Sequence, residues 1–314
     1  MMDRRTGSVA WCGPPKRNNK MQPRHILLAL TVVAIWGVNF AIIKLGLRQV
    51  SPLALGVFRF VLAALPWVFF VKRPAAPMRL ILLYSLLIFT MQFGFLFTGM
   101  KLGGSAGLAS LILQLQVFFT IGLSVLLLGE RPTFWQVAGA LLAFSGVGVV
   151  ALHVGGDITF IGLAFMIAAA ASWGAGNIVS KQISQATPGI NAFSLVTWGS
   201  LFAAPPLLVV ALLLDRQAFL ASFSNLDWVS IGSIAYIVFL STLFGFAAWS
   251  SLLGQYPVST VAPFTLLVPV FGFLGSAVLL GEPMQSWKFA ASALVIAGLC
   301  LNLLGPRLKA KFAR

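Results

Sequence analysis

From Leu53 to Val71 the chain reads LALGVFRFVLAALPWVFFV, a run long and apolar enough to cross a membrane, with Arg59 inside it. No other charge appears between Arg48 and Lys72. A guanidinium at the centre of a membrane helix costs about 2.5–3.5 kcal/mol to insert, so such residues face a bundle interior or a wet cavity. Two roles fit: a cation that meets a substrate carboxylate, or a structural arginine bonded to carbonyls at a helix break.

Neutral polar and aromatic residues could serve the rest of a small ligand. Trp36 and Asn39 are three apart and Trp173 and Asn177 four apart, so each pair shares a helix face. A ring beside an amide suits a polar, amphipathic ligand, although membrane asparagines also bond to neighbouring helices. Gln92, Gln114 and Gln116 interrupt other apolar runs. The last two are two apart, so a regular helix turns them to different faces and at least one inward. Tyr236, Trp198 and Trp249 are further candidates to line a cavity. Glu130 and Glu282 each follow a glycine at the end of an apolar run. They are candidates for gating or proton coupling; the plainer reading is capping, or pairing with Arg131 or Lys288.

Other chemistries find little support. Cys12 and Cys300 have no metal-site spacing, and His25 and His153 belong to opposite membrane faces. There is no HExxH and no GxxxxGK[ST] phosphate loop. We therefore expect no metal, no cofactor and no enzymatic activity. The net charge of +15 crowds into tails and short loops rather than one basic face, which argues against nucleic acid.

The elements that position these residues follow from composition. Of 314 residues 59% are hydrophobic and 9% charged, against roughly 25% charged in soluble domains. A spanning helix needs about 20 apolar residues, and that window predicts ten: 26–47, 52–71, 79–99, 105–128, 133–152, 160–181, 190–214, 228–251, 257–280 and 286–305. The fold class is an all-α membrane protein. Pro205 and Pro206 are expected to break the seventh span, and Pro263 and Pro269 the ninth; freed backbone groups must then face protein or a cavity. The fourth span instead has Gly103, Gly104 and Gly107 at its start. The basic residues 1–24 do not read as a secretory signal, and Met21, directly before the first run, is a candidate start.

The halves match. WGVNFAIIK at Trp36–Lys44 recurs as WGAGNIVSK at Trp173–Lys181, an offset of 137. LLLGERPTFW recurs as VLLGEPMQSW, aligning Gly129 with Gly281, Glu130 with Glu282 and Trp135 with Trp287 at an offset of 152. The inserted residues are placed in the long polar Asp215–Asp227 connection. Residues 25–155 and 156–306 thus read as two five-helix repeats between basic tails, 1–24 and 307–314. An odd number of spans makes serial copies face opposite ways, the inverted-repeat plan of secondary transporters with a midplane site. Lys and Arg favour both termini in the cytoplasm, 15 inside against 5 outside, with Arg59 uncounted. In this plan spans five and ten support the core or pair two copies into a homodimer, and the remaining eight line a cavity.

The WGVNFAIIKLGL opening, the RF of span two, GSAGLASLILQLQVFFTIGLSVLLLGE, SWGAGNIVSK and APFTLLVPVFGFLGSAVLLGE together resemble the EamA family of the drug/metabolite transporter superfamily. The resemblance covers nearly all of residues 21–306 and is strongest to members that export cysteine and O-acetylserine. It implies ten helices in two inverted repeats, an inner-membrane location, cytoplasmic tails and efflux of amino acids and their derivatives from a central cavity. Carried over are Trp36, Gly37, Arg59, Phe60, Gly129, Glu130, Gly281 and Glu282. Export of drugs or toxic aromatics, and a non-transport scaffold or lipid-handling role, are the alternatives.

Overall fold

The structure is a computed structural model and describes residues 21–156 and 158–312. The leader through residue 20, Cys12 included, and the last two residues lie outside the described residues. Among the described residues ten helices are long and apolar enough to cross a membrane: α1 Pro23–Gly46, α2 Pro52–Phe69, α3 Met78–Lys101, α4 Ala106–Leu128, α5 Phe134–Ala151, α6 Phe160–Ala186, α7 Ala192–Leu214, α8 Trp228–Leu253, α9 Ala262–Leu280 and α10 Ser286–Gly305. No strand occurs among the described residues. Ten crossings put the start of α1 and the end of α10 on one face.

Local chemistry sets many of the helix starts. A span leaves its first N–H groups unpaired, and a side-chain oxygen at the N-cap accepts from one of them. Ser51, Ser105, Thr133, Thr159, Asn191 and Asp227 do this for α2, α4, α5, α6, α7 and α8. Thr133 and Gln136 form a full capping box.

The sequence repeat has a structural counterpart. α3 opens into a π-helical segment at Ser85–Met91, and α8 does so at Tyr236–Phe244. A 3₁₀ turn covers Leu113–Leu115 in α4, and another covers Ala262–Leu267 in α9. α4 and α9 both end on a left-handed glycine, Gly129 (φ 65°) and Gly281 (φ 66°), a conformation that glycine adopts without steric cost. The Glu130 N–H then bonds back to Ser124 O at 3.3 Å, and the Glu282 N–H to Ser276 O at 3.2 Å. These features recur at the offset of 152.

The paired WG glycines mark two equivalent crossings. A Cβ on Gly37 of α1 would collide with Phe271 Cβ and lie 2.7 Å from Val268 O of α9. A Cβ on Gly174 of α6 would lie 2.6 Å from Phe119 Cβ and 3.0 Å from Thr120 N of α4. Small residues let membrane helices approach this closely. α1 therefore packs on α9 as α6 packs on α4, crossing from one repeat into the other. α5 and α10 pack mainly against each other, with Gly139 against Gly298.

Two expectations are corrected. Pro205 and Pro206 do not break α7, which is continuous from Ala192 to Leu214. The fixed φ of proline is helical, and α3 binds α7 beside the prolines, where Thr90 Oγ1 donates to Ala203 O at 3.4 Å. The break instead lies in α2, whose α-helix stops at Ala64 and resumes as a 3₁₀ turn at Trp67–Phe69 beyond Pro66. In α9 the prolines behave as expected: Pro263 opens the 3₁₀ segment and Pro269 opens the α-helix after it. The Asp215–Asp227 connection is not a loop but holds a helix, Arg216–Ser224, with Phe219 buried and Ser222 Oγ accepting from Ser51 N at 2.9 Å.

Candidate functional site

A cavity of about 530 Å³ lies between the two repeats. Its wall includes Trp36 and Asn39 of α1, Arg59 of α2, Gln92 and Phe93 of α3, Gln114 and Gln116 of α4, and Trp173 and Asn177 of α6. Ser241, Phe246 and Trp249 of α8 and Thr265 of α9 also belong to it. Among its lining residues are no Asp or Glu. It continues past Ser180, Leu253 and Asn302, near the ends of α6, α8 and α10, toward the face that holds both ends of the span set. Toward the opposite face the lining reaches Leu96 and Ser110, five and four residues short of the ends of α3 and α4 there.

Arg59 sits in the second turn of α2, which Ser51 caps and Pro52 begins. It is 3% exposed, with its guanidinium carbon 3.9 Å from the Phe93 ring centre and 5.6 Å from that of Phe60. A desolvated cation over an aromatic face gains about 2 kcal/mol. Nε and Nη1 have no hydrogen-bond partner among the described residues. Neither has the Oδ1 of Asn39 or the Oε1 of Gln92, residues 6% and 3% exposed.

The polar groups on the facing wall are paired. Asn177 Nδ2 donates to Gln116 Oε1 (2.6 Å) and Thr120 Oγ1 (3.1 Å), tying α6 to α4. Gln114 Nε2 donates to Thr265 O at 3.4 Å. The Trp36 indole donates to Ser241 O (3.0 Å) within the π segment of α8, and its ring packs 5.2 Å from Trp249 and 5.7 Å from Phe246. π segments of this kind recur at functional sites.

Most of the sequence-derived candidates meet here, with corrections. Gln114 and Gln116 both line the cavity, because the 3₁₀ turn between them winds more tightly than an α-helix and brings their directions closer. Trp198 and Tyr236 do not line it. A buried indole N–H or phenol O–H needs an acceptor, and backbone carbonyls elsewhere provide one: Val71 O for Trp198 (2.9 Å) and Ile35 O for Tyr236 (2.9 Å). α7 contributes nothing to the wall, whereas α10 contributes Leu299, Asn302 and Leu303. Asn302 was legible as a lone amide in an apolar run; Phe93, one phenylalanine of 27, gave no signal.

Glu130 and Glu282 lie away from the cavity and differ from each other. Glu282 closes over the start of α4, accepting from Ser105 Oγ (2.7 Å), Ala106 N (2.9 Å) and Gly107 N (3.3 Å). Carboxylates are favoured at such helix starts. Beside it Lys44 donates to Met100 O (2.5 Å) and Gly104 O (2.7 Å). Glu130 is half exposed and pairs with Lys181 at 2.5 Å. Capping and pairing hold, then, but with partners other than Arg131 and Lys288.

Sequence comparison gives this geometry its family. The model of the EamA-like transporter family matches residues 23–152 and again 160–304. The chain belongs to the EamA-like transporter family. Its similar relatives include proteins named probable amino-acid metabolite efflux pump. The one from Salmonella typhimurium is 44% identical over 92% of this chain and 98% of its own length. The one from Escherichia coli is 42% identical over 91% and 97%. A solved crystal structure, 18% identical, shares the fold with a TM-score of 0.59 over 92% of this chain and 99% of its own. The chain is thus a membrane transporter of ten apolar helices, and the two family matches coincide with the two five-helix units.

Proposed function

We propose that this EamA-family chain is an inner-membrane exporter of amino acids or related small metabolites, working by alternating access and carrying out no covalent chemistry. The observation that carries the reading is Arg59: a buried cation in a cavity without a carboxylate, left for an anionic group that arrives with the solute. The names of the 44% and 42% identical relatives point the same way. Trp36, Trp173, Gln114 and the amides form the rest of the pocket.

The two Glu sites supply the gates. With both termini cytoplasmic, as the Lys and Arg distribution favours, Glu282 and Lys44 seal the outer face while Glu130, paired with Lys181, caps no helix start on the inner face. The cavity then opens inward, ready to load. Export rocks the repeats so that Glu282 lets go of the α4 start and the inner face closes. Small residues at the α1–α9 and α4–α6 crossings permit that movement.

The aromatic cluster of Trp36, Phe246 and Trp249 favours a second reading, export of aromatic or drug-like compounds. Overexpressing cells preloaded with labelled cysteine or O-acetylserine discriminate between the two. Faster efflux than in cells carrying the empty vector is expected. Unchanged efflux together with raised resistance to dyes and drugs would replace the first reading with the second.

A further inference from the structure

Seven buried side-chain atoms lack a hydrogen-bond partner among the described residues, and four of them belong to residues that line the cavity: Arg59 Nε and Nη1, Asn39 Oδ1 and Gln92 Oε1. Two are donors and two are acceptors. Buried polar groups are rarely left unpaired without a reason. Here donors and acceptors share one cavity and do not satisfy each other. A ligand that pairs all of them must carry acceptors and donors together. All three side chains come from α1, α2 and α3 of the first repeat. The second repeat offers nothing comparable: Asn177 is paired, Trp198 turns to Val71 O, and α8 presents Phe246 and Trp249.

We infer that Asn39 and Gln92 form an ammonium seat beside Arg59, so that the first repeat holds the charged head of an α-amino acid. The α-carboxylate takes the guanidinium donors, and the N–H groups of the α-ammonium go to the two amide oxygens. The side chain points to the aromatic and apolar wall of the second repeat. With neither a carboxylate nor a second cation among the lining residues, a charged side chain on the solute has no partner, so amino acids with neutral side chains are the class selected. This rests on the amino-acid reading of the cavity and goes past it, because Arg59 alone would accept any carboxylate.

The test is competition for S-methylcysteine counterflow in proteoliposomes. The competitors are 3-(methylthio)propanoate, which lacks the ammonium, and 2-(methylthio)ethylamine, which lacks the carboxylate. In the wild type unlabelled S-methylcysteine is expected to compete at least about 10-fold better than either, since each analogue leaves buried groups unpaired. Asn39→Leu and Gln92→Met, near in shape to the originals, should bring the propanoate to within about 2-fold of the amino acid. Arg59→Met should weaken both carboxylates and leave the amine unaffected. Should either amide variant fail to fold, Asn39→Asp and Gln92→Glu keep the acceptors, and are expected to retain the ammonium requirement and improve competition by the amine. Undiminished discrimination in Asn39→Leu and Gln92→Met, or no gain for the amine in the acidic variants, overturns the ammonium seat while leaving amino-acid export standing. Absence of any S-methylcysteine flux in the wild type overturns the export reading and the seat with it.

Discussion

Arg59 is a buried charge that the protein itself does not neutralise. Its ring contacts offset part of the desolvation cost, but no carboxylate among the described residues completes the pair. Stability and function therefore pull apart at this residue. Arg59→Met should lower export by at least about 30-fold, the scale set by losing one partner of a buried charge pair in a complex. The melting midpoint of the purified protein in detergent should hold or rise, because an uncompensated charge has left the interior. A fall in the midpoint would mark the arginine as structural. Arg59, Asn39 and Gln92 were legible in the sequence because a polar atom inside an apolar run stands out and has to be accounted for. Trp198 and Tyr236 were misplaced for a related reason: their N–H and O–H need only one acceptor, and a backbone carbonyl that no pattern reveals can supply it.

Helices show the same mixture. The ten spans follow from hydropathy; the six N-caps and the left-handed glycines after α4 and α9 came with the structure, at residue types that such positions favour. The meaning of the WG motif did not, since a glycine's neighbour across a helix crossing is set by tertiary packing. Gly37→Ala and Gly174→Ala should each cost about 1–3 kcal/mol, the usual penalty of overpacking. Gly122→Ala has nothing within 4 Å of the new methyl and should be neutral or slightly stabilising. Thermal unfolding in detergent ranks the three, and equal effects would show that the crossings tolerate the added volume. Pro205 and Pro206 teach the converse. A proline lowers the odds of a continuous membrane helix without forbidding it, and only the surrounding helices decide.

At the scale of the whole molecule the two repeats share π segments, 3₁₀ turns and glycine ends, yet their GE motifs sit differently. Glu282 is latched on the α4 start, and Glu130 is paired with Lys181 at the surface. That asymmetry matches a cavity whose lining runs to the last residues of α8 and α10 on one face and stops four to five residues short of the helix ends on the other. Removing the charge weakens the latch, since hydrogen bonds to an ionised acceptor are roughly twice as strong as neutral ones. In Glu282→Gln, a cysteine introduced at Ser110 should react about 5-fold faster with an impermeant maleimide applied from the face opposite the chain ends. An unchanged rate would remove Glu282 from the gate. The ten crossings were legible in hydropathy and the repeat in the spacing of WG and GE; the different partners of the two GE carboxylates were not, because both copies carry the same residues. The central claim, that a solute's carboxylate crosses the membrane by way of Arg59, is tested most directly by amino-acid counterflow in proteoliposomes of the wild type and Arg59→Ala. The expected result is accumulation of labelled cysteine against unlabelled amino acid in the wild type and none above protein-free vesicles in the variant; equal accumulation in both would contradict the account.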